Sequence, residues 1–199
     1  RFVGNFSSGK MGFSLAKTAA SLGAEVTLIT GPTSLNLVDD NVVVVNVVTA
    51  DQMFVEVKKY FRSSDISILS AAVSDFKPKN RSDKKIKKQN NNTLSIDLIQ
   101  NIDILKYLGD NKSEKQILVG FALETDNENQ NALLKIKHKN LDAIVLNSLN
   151  DKGAGFGHDT NKVSIINKNG LFKKFKLKSK SDVSIDIFNE LINDFHEKY

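Results

Sequence analysis

The stretch RFVGNFSSGKMGFSLA, residues 1–16, decides the fold of this chain. It places a turn rich in glycine and hydroxyl groups between a predicted strand, residues 2–5, and a predicted helix that begins at Met11. The first N–H groups of a helix lack intrahelical partners and the helix dipole is positive there, so such a turn can hold a phosphate or an oxyanion. The sequence therefore predicts an anion-binding turn at the edge of a sheet.

The same turn has the spacing of a P-loop but lacks one of its residues. Gly4 to Lys10 fits the pattern GxxxxGK, whose backbone cradles nucleotide phosphates. The next residue is Met11, where that motif needs a hydroxyl group to hold magnesium. We therefore expect an anion-binding turn that is not a P-loop.

Composition predicts a single globular domain. The 199 residues are 40% hydrophobic and 26% charged, which is typical of a soluble protein. There is no apolar run of the roughly 20 residues that a membrane helix needs, and no signal-peptide pattern, so we expect a cytoplasmic protein without membrane contact. The chain has no cysteine, which excludes disulfides, thiolate metal sites and a cysteine nucleophile.

The charge pattern points to a small polyanion rather than to nucleic acid. The net charge is +5, but the lysines are not interleaved with aromatic residues, as they are in many nucleic-acid-binding proteins. One segment, residues 77–88 (KPKNRSDKKIKK), concentrates cations in a predicted loop. This density suits a nucleoside triphosphate.

Hydrophobic periodicity predicts an α/β fold, with short β-branched runs alternating with helical patterns. The predicted helices are residues 11–22, a helix ending at Phe61 behind the cap Thr49-Ala50-Asp51, and residues 102–108, 127–139 and 181–199. The first should bury the face that carries Met11, Leu15, Ala19 and Leu22, and Gly109 should end the helix 102–108. The predicted strands are residues 2–5, 25–30, 42–48 (buried on both sides), 66–73, 93–99, 117–123 and 143–147, then a hairpin of 163–168 and 171–177 around Asn169-Gly170. We expect a mostly parallel sheet with helices on both faces and a β-hairpin extension.

One carboxylate lies where such a fold binds its ligands. Asp75 follows the predicted strand 66–73 directly and precedes the lysine-rich loop. Ligands of open α/β sheets bind beyond the carboxyl ends of the strands. Asp75 could therefore contact a ribose or a bound magnesium ion, although a helix or turn cap explains it equally well.

Five segments together resemble phosphopantothenoylcysteine synthetase of the bacterial, CTP-dependent type. They are Asn5 with SSGKMG (7–12), AAVSD (71–75), KIKK (85–88), GFALET (120–125) and KNLD (139–142). The resemblance covers nearly the whole chain and implies a Rossmann-like fold. It also implies one synthetase domain over residues 1–199, with a truncated first strand and without the decarboxylase domain that often precedes it in longer chains.

The resemblance implies a carbon–nitrogen ligase of coenzyme A biosynthesis. CTP, with Mg²⁺, would activate the carboxylate of 4′-phosphopantothenate as an acyl-cytidylate and release pyrophosphate. The amine of L-cysteine would then attack the acyl carbon and release CMP. A homodimer is also implied, with the strand 93–99 and the hairpin as candidate contacts and the loop 77–88 closing over CTP.

The resemblance also assigns roles to residues. Asn5 would grip the activated acyl group and Lys85 would face the triphosphate, both as catalytic residues, and Asp75 would bind the ribose or magnesium. The other implied nucleotide contacts are Ala72, Ser74, Phe76, Asn101, Asp103, Ile104, Phe121, Lys135 and Lys139, with Asn147 as a further match. The implied substrate contacts are Arg1, Ser7, Ser8, Gly9, Ala71 and Ala72.

Several alternatives stay open on the residues alone. Asn5 could merely complete a turn, the lysines could be a solvated face, and Ile102 stands where the family usually carries proline. An NAD(P)-dependent oxidoreductase would use a similar sheet, but it should show GxGxxG and an acidic residue at the end of the second strand. The chain has Gly9 and Gly12, and that strand ends at Thr30. A nucleic-acid-binding module without enzymatic activity is the third class.

Overall fold

The structure is a computed structural model that describes residues 3–82, 84, 86, 94–124, 128–148 and 159–196. Its elements, in chain order, are α1 (Lys10–Ser21), β1 (Val26–Thr30), β2 (Val42–Asn46), α2 (Ala50–Phe61), β3 (Ile66–Leu69), β4 (Phe76–Pro78), β5 (Leu98–Gln100), α3 (Ile104–Asn111), β6 (Ile117–Glu124), α4 (Glu128–Lys139), β7 (Ala143–Ser148), β8 (Thr160–Asn161), β9 (Val163–Asn167), β10 (Phe172–Lys174), β11 (Lys178–Ser179) and α5 (Lys180–His196). None of the helices described here is long and apolar enough to cross a membrane.

A five-stranded sheet in the order β10-β9-β7-β6-β3 forms the centre of the molecule. Strands β3, β6 and β7 are parallel, while β9 and β10 continue the sheet in antiparallel fashion. Strands β1 and β2 form a separate parallel pair, and β4-β5 and β8-β11 are short antiparallel pairs. The predicted α/β fold with a mostly parallel sheet is confirmed.

Helices cover both faces of the central sheet because its strands alternate the face on which they bury side chains. Val119 and Val145 pack with Leu15 of α1 and with the apolar side of α5. Leu118 and Ile144 face the other way and pack with residues of α2, α3 and α4. Each face thus has its own hydrophobic cluster.

Helix α1 connects the two parallel parts of the structure. Its Leu15 belongs to the cluster over the central sheet, whereas Phe13 and Ala16 pack with Leu37 and with the β1-β2 pair. Strands β1 and β3 each stand last in their own sheet, so one edge of each lacks a strand partner among the described residues. Both edges border the cleft described below.

Local signals placed two elements correctly. Thr49 caps α2 and forms a capping box with Gln52, whose side chain accepts from the Thr49 N–H at 3.1 Å. The hairpin of β9 and β10 turns at Asn169-Gly170, and Gly170 has φ 80°, which glycine adopts without strain.

Three predictions about burial and strands near the N-terminus are wrong. Residues 3–5 form no strand, because only a short β-forming run precedes the glycine at position 4. Leu22, expected on the buried face of α1, is 56% exposed at the helix end. The valine run is not buried throughout on both faces, since Val44 packs in the cluster with Phe13 and Ala16 of α1 while Val43 is 58% exposed.

Further along the chain, three predicted boundaries differ from the structure, and one strand was not predicted. Helix α3 continues past Gly109 to Asn111, because this glycine serves a close approach between helices rather than a helix end. Strand β3 ends at Leu69, and the small residues 70–73 border the cleft instead of pairing. Strand β5 covers only residues 98–100, and its partner β4 lies in the segment predicted as loop.

Candidate functional site

One large cleft brings together residues from segments far apart in the sequence. It includes the carboxyl ends of β3, β6 and β7, where open α/β sheets bind ligands, and it also extends along β1 and β3 to their amino ends. Its volume of ≈ 3260 Å³ exceeds the roughly 300–1,000 Å³ of a small-molecule pocket, since it continues between the edges of β1 and β3. The predicted site residues that line it are Asn5, Ser7, Ser8, Gly9, Ala71, Ala72, Ser74, Asp75, Phe76, Asn101, Asp103, Ile104, Phe121, Lys135, Lys139 and Asn147.

The glycine- and serine-rich turn opens the N-terminus of α1 toward the cleft. Gly9 precedes the helix with φ 75°, and no side chain of the N-cap residue bonds to the first turn. The turn is held from outside by Thr33, whose hydroxyl donates to the Ser8 carbonyl at 3.0 Å. The Lys10 N–H at the start of α1 donates to the Ser8 hydroxyl at 3.4 Å, and anion binding at this turn stays a prediction.

Asn5 lies at the wall of the cleft beside the segment that follows β3. Its side chain is exposed, and its amide donates to the carbonyl of Val73 at 3.3 Å. Ala71 and Ala72, the predicted substrate contacts, are the immediate neighbours of Val73 in the chain. The structure thus brings the predicted amide donor and the predicted substrate segment together.

Asn101 ties the Asp75 segment in place. Its backbone N–H donates to the Asp75 carbonyl at 2.8 Å, and its side-chain amide donates to the Ser74 carbonyl at 2.7 Å. The Asp75 carboxylate itself is exposed to the cleft. The described residues contain no cluster of three or more His, Cys, Asp or Glu side chains suited to a metal.

Two buried amide oxygens in the cleft have no hydrogen-bond partner among the residues that the structure describes. They are Oδ1 of Asn101 and Oδ1 of Asn147, the latter near the end of β7. Leaving a buried acceptor unsatisfied costs about 1–3 kcal/mol, so native structures rarely keep one without a ligand, water or ion. Both oxygens belong to residues that line the cleft.

Asp103 and Lys139 form an ion pair between two helix ends in the cleft. The Asp103 carboxylate caps α3 by accepting from the Lys106 N–H at 3.0 Å, and it lies 2.8 Å from Nζ of Lys139. Partial burial opposes ionisation of this carboxylate, but the hydrogen bonds from Lys139 and Lys106 and the charges of both lysines outweigh it and lower the pKa of Asp103. Lys135, one turn earlier on α4, also lines the cleft and is half-buried.

The apolar members of the predicted set occupy different depths. Phe121 is half-buried and packs against the cluster on the α1 face. Ile104 is only 5% exposed and belongs to the opposite cluster with Leu108. The Ile104 side chain is thus mostly in the core, and its role as a nucleotide contact stays a prediction.

Part of the predicted site lies outside the described residues. Arg1, Lys85 and several positions of the lysine-rich loop 77–88 are among these, so the closing of this loop over a nucleotide stays a prediction. The beginning of the loop is described, and there Nζ of Lys77 lies 2.6 Å from the carboxylate of Asp51 at the start of α2. Lys77 is therefore engaged with α2 rather than extended into solvent.

Sequence reasoning missed the burial of Lys180 at the start of α5, whereas Lys10 at the start of α1 already stood out through the P-loop spacing. Lys10 pairs with Asp159, and Lys180, the first residue of α5, is only 7% exposed. Lys180 stands between serines in a lysine-rich stretch, which is typical of a solvated surface. Its burial depends on long-range packing that no local pattern reveals.

The fold is that of an α/β protein with a cleft beside the carboxyl ends of its parallel strands. The family described as the DNA/pantothenate metabolism flavoprotein C-terminal domain matches residues 1–195, and the chain belongs to this family. The resemblance seen in the sequence is thus confirmed at the level of the family.

Two curated relatives and one solved structure are similar over nearly the whole chain. A cysteine/cysteine sulfinic acid decarboxylase from an unknown prokaryotic organism is 49% identical over 98% of this chain and 54% of the relative. The coenzyme A biosynthesis bifunctional protein CoaBC of Bacillus subtilis (strain 168) is 46% identical over 96% of this chain and 47% of its own length. The crystal structure of a CoaBC C-terminal domain superposes with a TM-score of 0.83 at 36% identity, covering 99% of this chain and 88% of that one. The chain spans about half the length of these curated relatives.

The alternative of an NAD(P)-dependent oxidoreductase gains no support. Strand β1 ends at Thr30 and continues into Gly31-Pro32. A dinucleotide-binding sheet carries an acidic residue near this point to bind the ribose. No observation in the cleft favours that reading.

Proposed function

We propose that this protein is a phosphopantothenate–cysteine ligase of coenzyme A biosynthesis that uses CTP with Mg²⁺. The sequence resemblance and the name of the B. subtilis relative support the pathway and the ligase class. The single observation that carries the proposal is the pair of partnerless amide oxygens in a cleft that also holds the amide Asn5 and the carboxylate Asp75.

The reaction is divided into two steps that need no covalent side chain. A carboxylate oxygen of 4′-phosphopantothenate attacks the α-phosphorus of CTP, the new O–P bond forms, and the bond to pyrophosphate breaks. The cysteine amine then attacks the acyl carbon, the C–N bond forms, and CMP leaves with the former carboxylate oxygen while the amine loses a proton. The site must orient two anions and stabilise charge on the acyl oxygen.

Asn5 suits the acyl end of this site. A neutral amide donor stabilises an oxygen whose negative charge rises in the transition state without holding the substrate carboxylate too tightly. Its present bond to the Val73 carbonyl is long at 3.3 Å, near the limit of a normal N–H···O bond. Exchanging this bond for one to the acyl oxygen therefore costs little.

The nucleotide base suits the two amide oxygens. Cytosine carries an exocyclic amino group, which is the kind of donor that Oδ1 of Asn147 or Asn101 lacks. Phe121, Lys135 and Lys139 also line the cleft, and Lys139 pairs with Asp103, two residues after Asn101. We assign the base to this end and the triphosphate to the region between Asp75 and the turn before α1.

Asp75 fits a magnesium ion held mainly by phosphate. Mg²⁺ is commonly bound by one or two carboxylates together with substrate phosphates and water, and Asp75 offers one exposed carboxylate in the cleft. Such an ion would neutralise charge on the triphosphate. Lys85 is proposed for the same task on the strength of the resemblance.

The proposal includes a cytoplasmic homodimer. The β4-β5 pair and residues 94–97, which precede β5, expose large apolar side chains to solvent. These are Phe76 (49% exposed), Leu94 (61%), Ile96 (53%) and Leu98 (45%). A second copy of the chain would cover them.

A direct assay tests the proposed activity. The protein is incubated with CTP, Mg²⁺, 4′-phosphopantothenate and L-cysteine, and 4′-phosphopantothenoylcysteine is sought by mass spectrometry, with ATP in place of CTP as the test of nucleotide choice. Release of carbon dioxide from cysteine, the reaction in the other relative's name, serves as the control and is expected to be absent. Failure to form the amide with either nucleotide would contradict the proposal.

The Asn147→Ala variant tests the placement of the base. Loss of the acceptor should raise KM for CTP by about tenfold, since a hydrogen bond in a desolvated site contributes roughly 1–2 kcal/mol. KM for cysteine should stay unchanged. Asn36→Ala, an exposed position away from the cleft, is the matched control, and equal effects of both variants would remove Asn147 from the site.

A further inference from the structure

The end of helix α4 is closed by an asparagine that also bonds to helix α3. Asn140 follows α4 with φ 50°, and the Leu141 N–H donates to the Ile136 carbonyl, five residues earlier, at 3.0 Å. Such a bond is typical of the Schellman motif, whose left-handed residue is usually glycine and less often asparagine. Asn140 belongs to the segment KNLD (139–142), and it has no role among the site residues assigned above.

The side-chain amide of Asn140 makes a bond that glycine could not make. It donates to the Gly109 carbonyl at 2.8 Å. Gly109 lies in the last turn of α3, where carbonyl groups have no intrahelical N–H to accept from. The two helices approach so closely there that a Cβ atom on Gly109 would lie 1.7 Å from the Lys139 carbonyl oxygen. The asparagine thus satisfies a carbonyl of α3 and fixes the contact between the two helix ends.

The same two helices hold a charged pair of the cleft. Nζ of Lys139 lies 2.8 Å from the carboxylate of Asp103, which caps the start of α3. Partial burial raises the pKa of Asp103, and the hydrogen bond from Lys139 is the strongest of the interactions that lower it below its ordinary value. Lys139 and Asp103 both line the cleft, whereas Asn140 and Gly109 lie outside its lining. Asn140 is therefore placed to act on the cleft through its neighbour Lys139 and through α3.

Helix α3 extends this connection to the segment that carries Asp75. Asn101 lies just before the cap of α3, and its N–H and its side-chain amide donate to the carbonyls of Asp75 and Ser74 at 2.8 Å and 2.7 Å. A shift of α3 relative to α4 would thus change both the distance from Lys139 to the cap of α3 and the position of Asn101.

We propose that Asn140 is a positioning residue of the cleft, whose amide sets the place of Lys139 and of the start of α3 by holding the ends of α3 and α4 together. It acts without touching a ligand. Its effect on CTP rests on the proposed function, in which Lys139, Asp103 and Asn101 contact the nucleotide. Its effect on the pair of Asp103 and Lys139 does not depend on that function.

Asn140→Gly and Asn140→Ala separate the amide from the backbone conformation. Glycine adopts positive φ without strain, so it removes only the amide, whereas alanine removes the amide and also strains the backbone. Both variants should raise KM for CTP about fivefold, because a misplaced lysine loses part of a charge-assisted interaction. KM for 4′-phosphopantothenate and for L-cysteine should stay unchanged. A wild-type KM for CTP in Asn140→Gly would show that the backbone conformation alone matters, and it would overturn the proposal.

Asn111→Ala is the matched control. The side-chain amide of Asn111 donates to the Tyr107 carbonyl at 2.8 Å, so it makes the same kind of bond at the same end of α3, but within one helix. A residue that only stabilises the fold changes the amount of active protein and hence the apparent kcat, not KM for one substrate. Asn111→Ala should therefore keep the wild-type KM for CTP. Equal increases in Asn111→Ala and Asn140→Gly would overturn the proposal.

The pKa of Asp103, measured by NMR titration of its carboxyl group, gives a readout that needs no turnover. In Asn140→Gly this pKa should rise toward its ordinary value of 3.8, because Lys139 is held less firmly beside the carboxylate. In Asn111→Ala it should match the wild type, and an unchanged pKa in Asn140→Gly would overturn the proposal. If the pKa rises but the wild type forms no amide product, the positioning role stands and the proposed function fails. If the wild type is a ligase and Asn140→Gly changes neither the pKa nor KM for CTP, the proposed function stands and the positioning role fails.

Discussion

At the scale of single residues, two glycines are required by close packing and not by a turn or a helix end. Gly109 was predicted to end α3, but a Cβ atom there would lie 1.7 Å from the Lys139 carbonyl oxygen. The helix continues, and Asn140 donates to the Gly109 carbonyl at 2.8 Å across the same contact. Gly120 has a similar function in β6, where a Cβ atom would lie 2.8 Å from Leu105. Both glycines permit close packing rather than turns.

Gly109→Ala should lower the free energy of unfolding by about 1–3 kcal/mol, because a backbone carbonyl cannot move aside as a flexible side chain can. Helix propensity alone predicts the opposite, a gain of up to about 1 kcal/mol. Urea unfolding measures the difference. Gly31→Ala, where a Cβ atom would meet nothing within 4 Å, is the control, and a stabilised Gly109→Ala would contradict the assigned contact.

The Asp103–Lys139 pair predicts a pH dependence of stability. The pKa of Asp103 is lowered below its ordinary value of 3.8 in the folded protein, so its contribution is present above that pH and is lost as the pH falls through the folded-state pKa. Asp103→Asn keeps a capping acceptor but removes the charge. It should be less stable than wild type at neutral pH, and the difference should shrink in acid.

Unfolding free energies at neutral pH and well below pH 3.8 check this expectation. Lys139→Met provides the matched background, because in it Asp103→Asn should cost less than in the wild type. A difference between Asp103→Asn and wild type that stays constant with pH would show that the ion pair does not set the pKa.

At the scale of elements, the sequence predicted the helix cap and the hairpin turn, which depend only on neighbouring residues. The box of Thr49 and Gln52 and the turn at Asn169-Gly170 lie where they were expected, because each depends on residues within a few positions. The β4 strand was missed because its pairing with β5 joins segments about 20 residues apart. The exposure of Val43 was also missed, since only the packing of α1 decides which face of β2 is covered.

The surface formed by β4 and residues 94–100, called the β4-β5 arm below, exposes apolar side chains and is the predicted dimer contact. Replacing Ile96 and Leu98 together by lysine should weaken self-association by about tenfold or more, since apolar side chains at the centre of an interface contribute most of its affinity. The folded monomer should remain intact, because both side chains are already exposed.

Sedimentation equilibrium over a range of protein concentrations measures this change. Val38→Lys, at a position 88% exposed between β1 and β2, is the control and should dimerise as the wild type does. A wild-type protein that stays monomeric at all concentrations would contradict the assignment of the arm.

At the scale of the whole molecule, the fold class and the position of the cleft were predictable. Alternating strands and helices favour a parallel sheet, and open sheets of this kind bind ligands beyond the carboxyl ends of their strands. Asp75, Asn101 and Asn147 all line the cleft of this structure. The partnerless oxygens and the buried Lys180 were not predictable, because burial of a polar side chain depends on every element around it. The sequence thus predicted residues that line one cleft, and their roles stay predictions, whereas the two amide oxygens without a partner among the described residues came from the structure alone.

The central claim is that this cleft activates a carboxylate with CTP before the amine arrives. The most direct measurement is rapid-quench release of pyrophosphate and CMP from CTP in the presence of Mg²⁺. With 4′-phosphopantothenate and no cysteine, we expect pyrophosphate release of about one equivalent per site with CMP retained, and release of CMP once cysteine is added. Pyrophosphate release that does not depend on 4′-phosphopantothenate, or that requires cysteine, would contradict the account.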